Sequence, residues 1–346
     1  MEDGRLFNLP VMTTFEMNFL LLFIFLVLTT AGILIYERYK RKQVVEKTAA
    51  NHVLTERDFE KFSPPLVAQL IFGRGAYTRH ITAGLLNLVR KKILVLDQDK
   101  EGHYYFTVEG ASETPKAEDE KFLYGWMLYE VGKDGVFHID DLYNFTEERE
   151  NRETFLHKLY EWEEKMKNEL VGQGLFAVFS PFKRVLAGIS LVMVLLGSGF
   201  IIASPFLSIL YLAAGLATFI IMLCYSSMTH AGRYEYQKWK PFIYDIRKSS
   251  AEKFEETGKI SVSYVYAIAF DLKDTYVKKF PVREASQLSL RTDQFPLYFA
   301  AAPGTTALSL EGIQLIDELE SSLEQIISPI AYSPDEADDS GGALTE

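Results

Sequence analysis

Four cationic side chains stand out as groups that could do chemistry. Arg79, Arg90, Lys91 and Lys92 fall on one predicted helix around residues 78–92. Cations in that arrangement can meet phosphate oxygens, of a nucleic acid or of an anionic lipid headgroup. A plainer role also fits, because Arg90, Lys91 and Lys92 would complement the negative end of the helix dipole as solvated charges. The remaining reactive types form no recognisable constellation. The six histidines (52, 80, 103, 138, 157 and 230) are dispersed, without the paired spacing of a metal site. Ser180 and Lys183 have serine–lysine spacing, but they abut an apolar run and lack the companion motifs of an acylating enzyme. Gly73-Arg-Gly75 lacks the lysine of a phosphate loop. Asp140, Asp141, Glu147, Glu148 and Glu150 could attract a cation, yet no calcium-loop glycine accompanies them, and a solvated acidic surface is the simpler reading. No catalytic residue, cofactor site or metal site is assigned, and none of these residues identifies an enzyme.

The elements that would position those cations lie in residues 55–180. Thr55 and Asp58 have capping-box spacing, and Ser63-Pro64-Pro65 opens another helix. Thr78 can cap the next helix, whose Ile81, Leu85 and Leu88 share a face. That helix runs into Ile93–Leu96, a polar turn at Glu101-Gly102, and Tyr104–Val108, the order of a winged helix-turn-helix. Phe155, Leu159, Trp162, Met166 and Leu170 then recur at near-heptad spacing before Gly172-Gln-Gly174 and an apolar Leu175–Phe179. The repeated ending predicts an α+β domain resembling tandem winged helices.

Apolar runs divide the chain. Residues 17–36 contain no Asp, Glu, Lys, Arg or His, and a helix of that length covers about 30 Å, the hydrocarbon thickness of a bilayer. Acidic rather than basic leading residues, and the charged flank Glu37–Lys42, argue for an uncleaved anchor over a signal peptide. Residues 185–232 lack Asp, Glu, Lys and Arg throughout, and Ala203-Ser204-Pro205 breaks them into spans at 185–203 and 206–228. Small residues such as Gly188, Gly197, Gly199 and Gly215 would let the two helices approach closely. The basic flanks (Lys40–Lys42, Lys183-Arg184, and Arg233, Lys238 and Lys240) predict residues 1–16 outside the cell and both large polar segments in the cytoplasm. The glycosylation sequon at Asn144 is then a chance match. With no ionisable group deep in a span, a transporter acting alone is disfavoured.

Residues 37–54 read as a basic juxtamembrane linker and 233–330 as a mainly helical region. Within the latter, Tyr234, Tyr236, Trp239, Phe242 and Tyr244 suggest an interfacial helix, Ser261–Phe280 a second helix, and 281–308 a linker. From Ser309, Leu310, Ile313, Ile316, Leu319, Leu323 and Ile326 make an apolar stripe that predicts packing on the same protein. The net charge of −11 is concentrated at the end: ten acidic and no basic residues follow from Glu311, leaving 36 basic against 37 acidic groups in the remaining chain. Residues 331–346 read as a disordered acidic tail. A near-neutral body argues against nucleic acid as the main partner, and a lone Cys224 excludes a disulfide framework.

Three stretches together resemble the domain-of-unknown-function 2207 family of predicted bacterial membrane proteins: Pro65–Leu94, Lys165–Phe176 ahead of the hairpin, and Tyr264–Phe280 beyond it. The resemblance covers roughly residues 36–300, and the order of loose apolar motifs around the hairpin is its specific part. It implies a bacterial cell membrane, multi-pass, and no catalytic residues. Family members usually carry a large extracellular β-rich domain before the first span, whereas about sixteen residues precede it here. That domain is expected to be lost or supplied by a separate chain. The resulting expectation is a membrane-anchored interaction or regulatory protein, with the bilayer and a protein partner. A membrane-tethered nucleic-acid binder and an enzyme with a dispersed site are the alternatives.

Overall fold

The computed structural model describes residues 13–48, 54–73, 77–101, 103–108, 114–177, 180–225, 227–257, 259–284, 300–302 and 305–327. The acidic tail, most of the segment 285–304, part of the juxtamembrane linker and Arg74–Gly75 of the glycine-containing motif lie outside the described residues. In chain order the helices are α1 (Thr14–Thr48), α2 (Glu56–Lys61), α3 (Pro64–Phe72), α4 (Thr78–Arg90), α5 (Glu118–Gly125, continued by a π-helical turn Trp126–Val131), α6 (Ile139–Thr146), α7 (Arg149–Gly172), α8 (Pro181–Gly199), α9 (Pro205–Cys224), α10 (His230–Lys248), α11 (Ala251–Glu256), α12 (Ile260–Ala269), α13 (Lys273–Val277) and α14 (Leu310–Ile327). The strands are β1 (Leu94–Gln98), β2 (Tyr104–Val108), β3 (Val136–His138), β4 (Val282–Arg283), β5 (Ala300–Ala302) and β6 (Thr305–Ser309).

The chain divides into two compact units, one of residues 1–52 and 171–238, the other of 53–170 and 239–346. In the first, α1, α8 and α9 are each long and apolar enough to cross a membrane. Serine and proline start both later spans, with Ser180-Pro181 before α8 and Ser204-Pro205 before α9. The two helices pack where side chains vanish. A Cβ on Gly197 would lie 2.8 Å from Leu212 Cγ, and one on Gly215 2.9 Å from Val194 Cγ2. Ser190 Oγ donates to the Gly215 carbonyl at 2.9 Å, a bond made possible by that approach. Met193, Phe200, Leu207 and Tyr211 form the centre, and Phe19, Leu20 and Phe23 of α1 pack on it. Gly197→Val is therefore expected to destabilise this unit by about 1–3 kcal/mol through overpacking. Gly188→Val, where a Cβ meets nothing within 4 Å, is the matched control. Detergent-titration unfolding followed by circular dichroism checks the difference. After α7, among the described residues, the apolar segment makes one isolated bridge, Phe176 to Met228, and no second ribbon.

The second unit has α4 at its centre. Every residue from His80 to Val89 is buried, because α3, α5, α12 and α14 all pack against this helix. The caps of the first two helices follow the sequence pattern. Thr55 N–H donates to Asp58 Oδ2 at 2.8 Å, and Ser63 Oγ accepts from Leu66 N–H at 3.2 Å. At α4 the cap differs: Tyr77 holds the N-cap position, and its N–H donates to His80 Nδ1 at 3.0 Å. Thr78 is the first helical residue instead. α4 leads into the antiparallel pair β1–β2, with Leu96 opposite Phe106, and β3 adds to β2.

Three further segments depart from their sequence patterns. The helix expected over 261–280 breaks at Asp271, which takes a left-handed conformation (φ 61°) between α12 and α13. Leu272 N–H bonds the Ala267 carbonyl and Asp271 N–H that of Ile268, closing the helix as glycine commonly does. The expected linker contributes strands: β4 pairs parallel with β6, and β5 pairs antiparallel with it. Trp239, expected at the membrane interface, is fully buried. It stacks on Tyr266 at 5.2 Å and meets Phe59 and Phe242 edge-on. The α14 stripe packs inward as its spacing predicts, with Ile316, Leu319, Leu323 and Ile326 buried.

Candidate functional site

The C-terminal end of α4 and the start of α5 bring together Asn87, Asp119 and Glu120, three buried polar residues of the second unit. Asn87 sits on an otherwise apolar helix face and is fully buried, so its amide must find partners there. Its Nδ2 donates to Glu120 Oε1 at 2.8 Å, and its Oδ1 accepts from Arg90 Nε at 3.0 Å. Lys91 Nζ donates to both Glu120 oxygens, at 2.8 and 3.0 Å, and to the Glu60 carbonyl at 3.2 Å. Arg90 reaches back to α2, bonding Glu60 Oε1 at 3.1 Å and the Phe59 carbonyl at 3.3 Å. The side chains of Lys91 and Glu120 are only 10% and 4% exposed. The network thus joins α2, α4 and α5 through one buried ion pair and its donors.

Asp119 stands beside it. Ser63, the N-cap of α3, donates its hydroxyl to Asp119 Oδ2; Asp119 Oδ1 has no partner among the described residues. The Asp119 backbone is fixed from α7, where Trp162 Nε1 donates to its carbonyl at 3.0 Å and Glu169 Oε2 accepts from its N–H at 3.3 Å. Burial, reinforced by the neighbouring Glu120 and Glu169 carboxylates, pushes the Asp119 carboxyl up to about 8. Above this network opens a cleft of about 520 Å³ lined by Glu60, Lys91, Lys92, Lys116 and Glu120 among others.

The four cations singled out by type do not converge. Arg90 and Lys91 point into the network and neutralise carboxylates of their own protein. Lys92 is exposed on the cleft wall, in a left-handed conformation with φ 58°. Arg79 lies at the opposite end of α4, stacked over the Tyr77 ring at 4.7 Å and 3.5 Å from Asp271. Beside it His80 is held neutral, its imidazole pushed down to about 4 by burial first and by the Arg79 charge second. Spacing did not reveal Asp119 or Glu120, which lie with Glu118 in the first turn of α5. Asn87, a polar residue amid Leu85, Leu86 and Leu88, was the available signal.

One further group needs its three dimensions to be seen. Asp99, Glu101 and His103 on the β1–β2 turn place their ligand atoms within 4.8 Å of one another. Asp99 Oδ1 accepts from the N–H groups of Glu101 and His103 at 2.9 and 2.8 Å. Those bonds account for the cluster as turn chemistry at an exposed tip.

No curated protein and no solved structure matches the chain. A family model described as the C-terminal domain of a predicted membrane protein family, DUF2207, matches residues 56–280. That match takes in the α4 network, both spans of the hairpin and the aromatic cluster of α10 and α12. It covers more than half of the sequence, and the chain belongs to the DUF2207 family of predicted membrane proteins.

Proposed function

We propose that this protein is a membrane-anchored interaction or regulatory protein, acting through its second compact unit on the cytoplasmic face. The observation that carries the reading is the combination of three candidate spans with a separately packed polar unit of residues 53–170 and 239–346. The basic residues flanking all three spans support the cytoplasmic placement. The succession α3, α4, β1–β2 has the order of a helix-turn-helix with a ribbon wing, a layout widely used for macromolecular contacts. Nucleic acid is the less supported partner. A recognition helix must reach a groove, whereas α4 is buried from His80 to Val89 and Arg79, Arg90 and Lys91 each have an acidic partner within the protein.

Proximity labelling from a tag on the full chain in its native membrane tests the proposal. Reproducible neighbours at the cytoplasmic membrane face are expected. A neighbour set indistinguishable from that of an unrelated three-span protein would count against it.

A further inference from the structure

We propose that the cavity between α3, the start of α4 and the α12–α13 break binds a small organic anion, a carboxylate or phosphate carried on a flat apolar group. This site is separate from the α4–α5 network, and it does not depend on the interaction role proposed above.

Its walls supply both halves of such a ligand. The cavity measures about 210 Å³, below the ~300 Å³ at which drug-sized pockets begin, so one ring with one anionic head is the scale it suits. Phe72, Tyr77 and Phe270 provide aromatic surface, and Arg79 and Arg247 provide charge. Phe72 and Tyr77 are 42% and 39% exposed, so both rings present open aromatic surface.

The charge on these walls is incompletely answered. Arg79 Nε is buried and has no hydrogen-bond partner among the described residues. Its contact with Asp271 is 3.5 Å, and the Asp271 side chain is 75% exposed. Guanidinium normally engages a carboxylate through two parallel bonds near 2.7–2.9 Å, and Asp271 provides nothing of that kind. Arg247 is exposed and has no ion-pair partner among the described residues. Other charges near Arg79 do not substitute for one. Glu320 feels the Arg79 charge at a distance, but its hydrogen bond, like that of Asp317, goes to Lys273, and His80 stays neutral, its Nδ1 occupied by the Tyr77 N–H. α4 also begins at this wall with no acidic residue in its first turn to offset the positive end of the helix. Arginine fits the head group in particular, because its planar fork matches carboxylate and phosphate while its face stacks on an aromatic ring. Arg79 already lies over Tyr77 in that manner.

Asp271 is then a built-in rival for the same guanidinium. It occupies a left-handed position where glycine would be unstrained, and an aspartate there places a carboxylate at the cavity rim.

The experiment is isothermal titration of the full chain in nanodiscs, with empty nanodiscs subtracted, using phenyl phosphate, benzoate and inorganic phosphate as probes. Saturable binding of at least one aromatic anion is expected, with inorganic phosphate about tenfold weaker or more. Arg247→Met should weaken the aromatic anion about tenfold, as loss of a charge-assisted contact does, and Asp271→Asn should strengthen it several-fold. Because Arg79 also packs on Tyr77, the exposed Arg247 carries the test. Whichever aromatic probe binds more tightly identifies the head group. No saturable heat from either aromatic anion up to about 10 mM would overturn the proposal. So would an affinity unchanged by Arg247→Met, or inorganic phosphate binding as tightly as phenyl phosphate.

Discussion

Lys91→Met is expected to destabilise the second unit by about 3–5 kcal/mol, the cost of leaving a buried charge without its partner. Lys91 donates to both oxygens of Glu120, and a carboxylate whose side chain is 4% exposed is left with little water to take its place. Asn87 would remain as a single neutral donor, which holds the effect nearer the lower figure. Replacing both partners, Lys91→Met with Glu120→Leu, should recover most of the loss, because an apolar pair in place of a buried ion pair is commonly neutral or stabilising. The chain has a convenient reporter. Its three tryptophans, Trp126, Trp162 and Trp239, are all fully or almost fully buried in this unit. Tryptophan emission during urea unfolding of the detergent-solubilised chain therefore reads the second unit and not the hairpin. A single variant as stable as the parent would mean that the pair is solvated in solution, and that the network does not hold α2, α4 and α5 together.

That network marks the limit of what residue order discloses. The spans were legible because a bilayer imposes a minimum apolar length, which local composition alone satisfies. The caps at Thr55 and Ser63 were legible because their bonds close within three residues. α14 was legible because its stripe repeats at helical spacing. The break at Asp271 was not, since no glycine or proline marks it, and aspartate is merely one of the few other residues that tolerate the left-handed region. The β4–β6 pairing was equally hidden: the strands are parallel, short and separated by more than twenty residues, with nothing local to set their register. Arg90 and Lys91 looked like solvated helix-end charges because their carboxylate partners, Glu60 and Glu120, lie 30 and 29 positions away. Trp239 was misplaced for a related reason. Its neighbours in sequence are the aromatic and basic types common at membrane boundaries, while its neighbours in space include Phe59, from before the hairpin, and Tyr266, from beyond it.

Asp119 gives the second large effect, in the pH dependence of stability. Its folded carboxyl titrates near 8 against an ordinary value of 3.8, so the folded chain keeps a proton that the unfolded chain releases. The stabilisation from that proton is complete below about pH 4, declines as pH rises, and is gone once the folded group ionises near pH 8. Between those limits the decline approaches about 1.4 kcal/mol per pH unit. The groups facing Asp119 make this direction firm. The Ser63 hydroxyl from α3 and the Glu120 backbone N–H favour the charged form, but burial and the like charges of Glu120 on its own helix and Glu169 from α7 outweigh them, and Trp162 engages only the backbone carbonyl. Lys91 is turned toward Glu120. Asp119→Asn keeps the shape and stays neutral at every pH, so the difference in stability between parent and variant isolates this one titration. Urea unfolding by tryptophan emission at pH 5, 6, 7 and 8 should show the parent losing ground steadily to the asparagine variant. Parallel curves would show that Asp119 is already ionised in the folded chain at pH 5, and that solvent or an uncounted donor reaches its Oδ1.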